Sequence, residues 1–186
     1  EFGTEYISPY NDMDVIIGSE TIGFEILENL PHVDAVFVPV GGGGLISGIA
    51  AYIKAIKPSV QIIGCQSEVN NAMQMCVDAG KIEDFELQDT ICDGVAGGVE
   101  TNSVTFDICK SYVDKWITCS EEATAKGVMF MMEHHHRVIE TSGALPIAAF
   151  LSVADEYKDK NVVLVISGCN ISIDKIKYIL NEYHNS

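Results

Sequence analysis

The sequence predicts an α/β domain, a parallel sheet with helices on both faces. Three observations predict it. Short apolar runs at 33–40, 60–65 and 162–166 alternate with longer amphipathic stretches. Those runs are apolar nearly throughout, as strands buried on both faces require. No repeat, low-complexity segment or linker divides the chain, so residues 1–186 read as one domain.

The elements follow in order. Residues 33–40 (VDAVFVPV) are rich in β-branched side chains and end at glycines, so they read as a buried strand. A helix is predicted over 44–56, with Leu45, Ile49, Ala50, Ile53 and Ile56 at helical spacing and Pro58 stopping it. A second strand spans 60–65. A helix over 68–79 ends at Gly80, a residue suited to a helix C-terminus. The stretch 80–99 reads as irregular. A helix over 103–113 precedes a short strand at 116–118. Ser120 caps a helix whose first turn carries Glu121 and Glu122. The Ala-rich stretch 143–157 is predicted helical, with Pro146 in its first turn, where proline is tolerated. The run VVLVI at 162–166 is the last strand and 173–183 the last helix.

Composition bounds the function. The chain is 47% hydrophobic and 20% charged, as in ordinary globular domains. A formal net charge of −16 repels phosphate backbones and anionic membranes and reads as solubility. The six cysteines form no C-x-x-C pair, so they are expected to be reduced cytoplasmic thiols, several of them buried. No apolar run approaches the roughly 20 residues needed to span a bilayer. No basic region followed by an apolar one marks a signal peptide.

Ligands of parallel sheets bind at strand ends, in the loops entering helices. Two such loops carry unusual chemistry. Gly41-Gly42-Gly43-Gly44 costs backbone entropy that needs a reason. A turn without Cβ atoms lets backbone N–H groups converge on an anion, aided by the positive end of the next helix. The P-loop pattern fails, because Ile49 and Ala50 stand where Lys and Ser/Thr are required. The dinucleotide pattern fails too, with Ile46 or Ser47 at its last glycine. A small phosphorylated cofactor is left, or a tight turn that binds nothing. The second loop is Ser167-Gly168-Cys169-Asn170. Its hydroxyl can hydrogen-bond a ring nitrogen without carrying charge, or simply cap a turn.

Together these residues resemble a known family. VPVGGGGLISGIA (38–50) resembles the phosphate-binding segment of fold-type II pyridoxal-phosphate (PLP) enzymes, especially threonine dehydratases and serine racemases. YISPYND (6–12), VIIGSETIGFEIL (15–27), DGVAG (93–97), IETSGALPIAAFL (139–151) and ISGCNI (166–171) follow in that family's order. The resemblance implies part of the large domain of such an enzyme, with PLP as cofactor. It implies that Gly41, Gly42, Gly43, Gly44 and Leu45 hold the phosphate and that Ser167 faces the pyridine nitrogen. Asp93 and Gly94 would line the substrate side, with Glu140 beside the ring.

The departures are informative. The family's Schiff-base lysine lies in an N-terminal S-F-K-x-R-G segment followed by an S-S-G-N-H-type loop, and neither occurs here. No catalytic residue is therefore assigned in this chain, which reads as a C-terminal fragment, inactive alone and with its PLP site open to being empty. Gln66 stands where serine racemases carry a metal-binding glutamate, so no metal site is expected. Cys169 replaces the usual glycine, and Thr141-Ser142 replaces Gly-Ala or Pro-Thr.

The implied function belongs to amino-acid metabolism: an L-threonine or L-serine dehydratase, a cytoplasmic lyase. Serine racemase or another fold-type II lyase is the alternative activity. A stand-alone protein that binds a phosphorylated ligand or a partner without catalysis is the alternative class. The implied partners are a small amino acid, the missing N-terminal segment and a second copy of the chain, with no nucleic acid or membrane. The run His134-His135-His136 is no metal motif, because adjacent helical residues diverge by about 100°. It reads as a solvated helix end, and Met129, Met131 and Met132 read as core filler.

Overall fold

The computed structural model describes residue 3 and residues 6–184. Helix α1 (Met13–Asn29) leads into β1 (Ala35–Pro39), α2 (Gly44–Ile56), β2 (Gln61–Ser67) and α3 (Ala72–Ala79). An irregular stretch holds one 3-10 turn at Asp93–Val95. It leads to α4 (Val104–Tyr112), β3 (Lys115–Cys119), α5 (Glu121–His135) and α6 (Thr141–Ser152). A 3-10 turn (Ala154–Tyr157), β4 (Val162–Leu164) and α7 (Ile173–Tyr183) complete the order. The four strands are ordered β3-β2-β1-β4, and every pairing is parallel.

Side-chain alternation along the strands builds two cores. Val36, Val38 and Ile62 face one way, into a cluster with Ile46, Ile49, Ile53, Met73 and Phe106 of α2, α3 and α4. Ala35, Phe37, Ile63 and Cys65 face the other way, against Leu145, Ala148 and Ala149 of α6. A third cluster ties α5, α6 and α7 through Ala125, Val128, Ile147 and Ile179. The predicted fold class, a parallel sheet covered on both faces, is the one observed.

Local differences have identifiable causes. Helix α1 was not anticipated. Asp12 caps it by accepting from the N–H groups of Asp14 and Val15. Its apolar residues run around the cylinder: Ile22 and Ile26 pack on the core, while Met13, Ile17 and Phe24 are exposed. Helix α3 starts four residues later than predicted. Asn70 instead uses its side chain to donate to the Gln88 carbonyl and accept from the Gly97 N–H. Helix α6 starts at Thr141, two residues early, which puts Pro146 in the second turn rather than the first. Two contacts set that start: the Thr141 hydroxyl donates to the Ile91 carbonyl at 2.5 Å, and the Glu140 N–H to Gly168 at 3.1 Å. The same helix stops at Ser152 and gives way to the 3-10 turn. Strand β4 is three residues long, although the Val165 N–H still reaches the Phe37 carbonyl.

Candidate functional site

Strand β1 has β2 on one side and β4 on the other, so chain order reverses there. At such a switch point the loops leaving neighbouring strands diverge to opposite faces and open a crevice. A cavity of about 240 Å³ lies in that crevice, with residues 41–45 after β1 and Ser167 after β4 both on its wall.

The glycine loop is fixed by its carbonyls. Val40 donates to Cys65 at 2.9 Å, and its own carbonyl accepts from Gln66 Nε2 at 3.1 Å. The Gly42 carbonyl accepts from Thr105 Oγ1 at 2.6 Å. The amides are left over. Among the described residues, no acceptor takes the N–H of Gly41, Gly42, Gly43, Gly44, Leu45 or Ile46. Gly43 has φ +88°, where a Cβ is strained, and it serves as the N-cap of α2. The ring of Tyr10 packs against Gly42 closely enough that a Cβ there would overlap it. Unsatisfied amides at a helix N-terminus, in a cradle without side chains, suit an anion.

Glu140 is the one charged residue on the wall among the described residues. It caps the start of α6, and its Oε2 accepts from the Asn170 N–H at 3.1 Å. Gly94 and Ser142 stand beside it on the wall. Asp93 does not line the cavity. Its carboxylate is turned to Lys175 of α7, 2.8 Å away. Ser167 is exposed at the end of the edge strand. The structure thus brings together all the anticipated site residues except Asp93.

Sequence reasoning missed Pro9, Tyr10, Val95 and Ser142, which also line the cavity. Segment 6–12 is docked by Glu100, whose carboxylate accepts from Ser8 Oγ at 3.2 Å and Asn11 Nδ2 at 2.9 Å. Burial, and then the Glu100 carboxylate, push the Tyr10 phenol above its ordinary pKa. The aromatic residue in YISPYND was the available signal, but no local rule seats it on a loop thirty residues away.

Gln66 spends both ends of its amide inside the protein, on the Val40 carbonyl and the Gln74 N–H. His134 and His135 stack against Phe130 at the exposed end of α5, and His136 caps it with φ +55°. Among the described residues, no three His, Cys, Asp or Glu side chains are grouped to hold a metal, and no helix is long and apolar enough to cross a membrane. Five cysteines are buried and Cys169 is exposed. A larger cavity of about 580 Å³ lies between α5, α7 and the irregular stretch. Two of its charged groups are engaged by hydrogen bonds. Glu121 accepts from Ser67 Oγ, Thr90 Oγ1 and the Ile91 N–H, and Lys175 donates to the Ile91 carbonyl.

A family model described as pyridoxal-phosphate dependent enzyme matches residues 1–168. L-threonine ammonia-lyase of Thermotoga maritima is 42% identical over 97% of this chain and 44% of its own length. Catabolic L-threonine dehydratase of Escherichia coli is 38% identical over 95% of this chain and 54% of its own. Among solved structures, the processed form of threonine deaminase isoform 2 from Solanum lycopersicum superposes with TM-score 0.91 at 33% identity, covering 96% of this chain and 52% of that one. Serine racemase from Dictyostelium discoideum gives 0.81 at 30% identity, covering 90% and 54%. The chain spans about half the length, or less, of the curated relatives it matches.

Proposed function

The chain belongs to the pyridoxal-phosphate dependent enzymes, and on that premise we propose that it is the phosphate-gripping part of the large domain of an L-threonine or L-serine ammonia-lyase. The carrying observation is the row of six backbone amides, residues 41–46, without acceptors among the described residues and at the mouth of a strand-end cavity.

The residues fit the cofactor. A side-chain-free cradle with free N–H donors suits a phosphate ester, and the remaining wall, Ser167, Glu140, Ser142 and Gly94, surrounds a space of ring size. The bound coenzyme supplies the electron sink for losing water from a β-hydroxy amino acid, whose deamination yields a 2-oxo acid and ammonia. This chain's residues position it. The amides of 41–45 bind the phosphate. Ser167 offers the ring nitrogen a neutral partner, which holds less positive charge on the ring than a carboxylate would. Glu140 braces the ring side through Asn170. Asp93, held by Lys175, fixes the approach to Gly94 on the substrate side.

Gln66 supports the dehydratase reading over the racemase one. Both ends of its amide are held inside the protein and the amide is neutral, so it is a poorer ligand for a divalent cation at that position than a carboxylate would be. Six unpaired thiols, five of them buried, fit a reducing cytoplasm. Exposed Tyr6, Ile7, Met13, Ile17 and Phe24 form an apolar surface suited to a missing segment or a second copy, so self-association is expected in light scattering. A sharp monomer there would remove that part of the proposal.

The activity is tested by mixing the 186-residue chain with PLP and L-threonine and following 2-oxobutanoate. No turnover is expected without the lysine-bearing segment, and turnover on adding that segment in trans. Robust turnover by the chain alone refutes the division of labour. Failure of the chain to bind any vitamin B6 phosphate ester refutes the site.

A further inference from the structure

The segment that backs the glycine loop is held by side chains. Residues 6–12 form no helix or strand, and among the described residues no backbone–backbone hydrogen bond ties residues 6–11 to the rest of the protein. What holds them is Glu100. Its two carboxylate oxygens accept from Ser8 Oγ at 3.2 Å and from Asn11 Nδ2 at 2.9 Å. Asn11 Oδ1 in turn accepts from the Val104 N–H at 3.0 Å, at the start of α4. The same carboxylate faces the Tyr10 phenol, whose pKa it raises, behind burial.

The segment matters because of what it backs. On Gly42 and on Gly44, the three atoms nearest to where a Cβ would stand all belong to Tyr10. The Gly42 carbonyl is tied to Thr105 of α4. Residues 100–105 thus reach the loop twice, directly through Thr105 and at one remove through Tyr10. Four glycines have wide backbone freedom. Their amides converge on an anion only if that freedom is removed beforehand, because ordering at capture is subtracted from affinity.

Resting on the coenzyme reading above, we propose that Glu100 is a positioning residue for the phosphate cradle: by clasping Ser8 and Asn11 it keeps Tyr10 against Gly42 and Gly44, and so keeps the amides of 41–45 aimed at one anion. Glu100 is not on the cavity wall and acts through Tyr10, which is. Its charge works against the task, since a carboxylate near an anion site repels the guest. Its use lies in geometry: two oxygens that bind two uncharged donors and fix the segment between them. Charge and geometry therefore predict opposite signs for its removal.

Equilibrium dialysis of the 186-residue chain with pyridoxine 5′-phosphate, which has no aldehyde to react with lysines, tests this. Glu100→Ala is expected to bind roughly tenfold more weakly, the scale of one or two lost hydrogen bonds. Charge alone would make it bind more tightly. Asn11→Asp sets a carboxylate against Glu100 while keeping an acceptor for Val104, and should weaken binding by a similar factor. Asn11→Asp combined with Glu100→Gln reverses donor and acceptor at unchanged net charge. The new amide nitrogen can donate to the new carboxylate and the amide oxygen can accept from Ser8. This pair should recover wild-type affinity to within about threefold, and it decides the matter if Glu100→Ala does not fold. Unchanged or tighter binding by Glu100→Ala, a fall in melting temperature with affinity intact, or no recovery in the reversed pair overturns the role of Glu100 and leaves the cofactor site standing. Failure of the wild type to bind the probe overturns the site itself.

Discussion

The two walls of the cavity are built differently. The wall after β1 is made of backbone. Its glycines follow a buried strand flanked by β2 and β4, and the carbonyls of Val40 and Gly42 are tied down by Gln66 and Thr105. The wall after β4 is made of side chains in the turn that follows a three-residue edge strand, where Ile166 and Ser167 are exposed. An anion needs several donors held at fixed positions, which only a braced backbone supplies. A ring needs one or two side-chain contacts, which an exposed turn can carry. If this division is right, changes at the first wall cost fold and ligand together, and changes at the second cost ligand alone.

The largest expected effect is at Gly43. Gly43→Val strains a φ of +88° and meets Met73 Cε at 2.9 Å and Thr105 Cβ at 3.1 Å. Strain of about 1–2 kcal/mol and overpacking of about 1–3 kcal/mol should lower the thermal midpoint and abolish phosphate-ester binding. A folded variant that binds normally would break the comparison. Next is Thr105→Val, which leaves the Gly42 carbonyl without its donor. A loss of about 1–3 kcal/mol is expected in urea denaturation, with weaker binding of inorganic phosphate.

Alkaline pH probes the same wall. Cys109, whose Sγ lies 3.2 Å from the position a Gly43 Cβ would take, has its pKa pushed up by burial to about 12. Its folded pKa lies above the unfolded value, so its contribution is intact below pH 9 and is lost as pH climbs toward 12. Cys92 and Cys119 are raised alike, chiefly by burial, and add to the trend. Urea midpoints should therefore fall as pH rises from about 9 toward about 12, and Cys109→Ser, which removes the titrating thiol, should flatten the fall. At the second wall, Cys169 is exposed and should react with a thiol reagent at neutral pH long before the five buried thiols. The smallest effect on the fold belongs to Ser167→Ala. Stability should stay within about 0.5 kcal/mol of wild type, while affinity for the coenzyme ester drops.

What was legible in the sequence follows the same line. The strands and the glycine loop announce themselves in contiguous residues, because a buried parallel strand is apolar throughout and four glycines have few uses. The bounds of α2 and α7 were legible for a similar reason: proline or a serine cap punctuates them locally. Helix α1, the start of α6 and the contribution of Tyr10 were not. The helical character of 13–29 becomes decisive only against α2. The start of α6 is set by Thr141 reaching Ile91, 50 positions earlier. Tyr10 is seated through Ser8 and Asn11 bonding to Glu100, 92 and 89 positions later. Ser142 could be named as a departure from a resembled pattern, but its lack of a hydrogen-bond partner among the described residues is a property of packing.

Glu121 has a consequence for how the cavity receives its guest. Residues 80–99 carry almost no regular structure, yet one carboxylate gathers Thr90 and Ile91 from that stretch and Ser67 from β2. A long closure is thereby divided into two shorter ones, and the segment reaching Gly94 is immobilised when the chain folds. Little conformational freedom then remains to be surrendered at capture, so the association rate should be set by diffusion and charge rather than by the rearrangement of this segment.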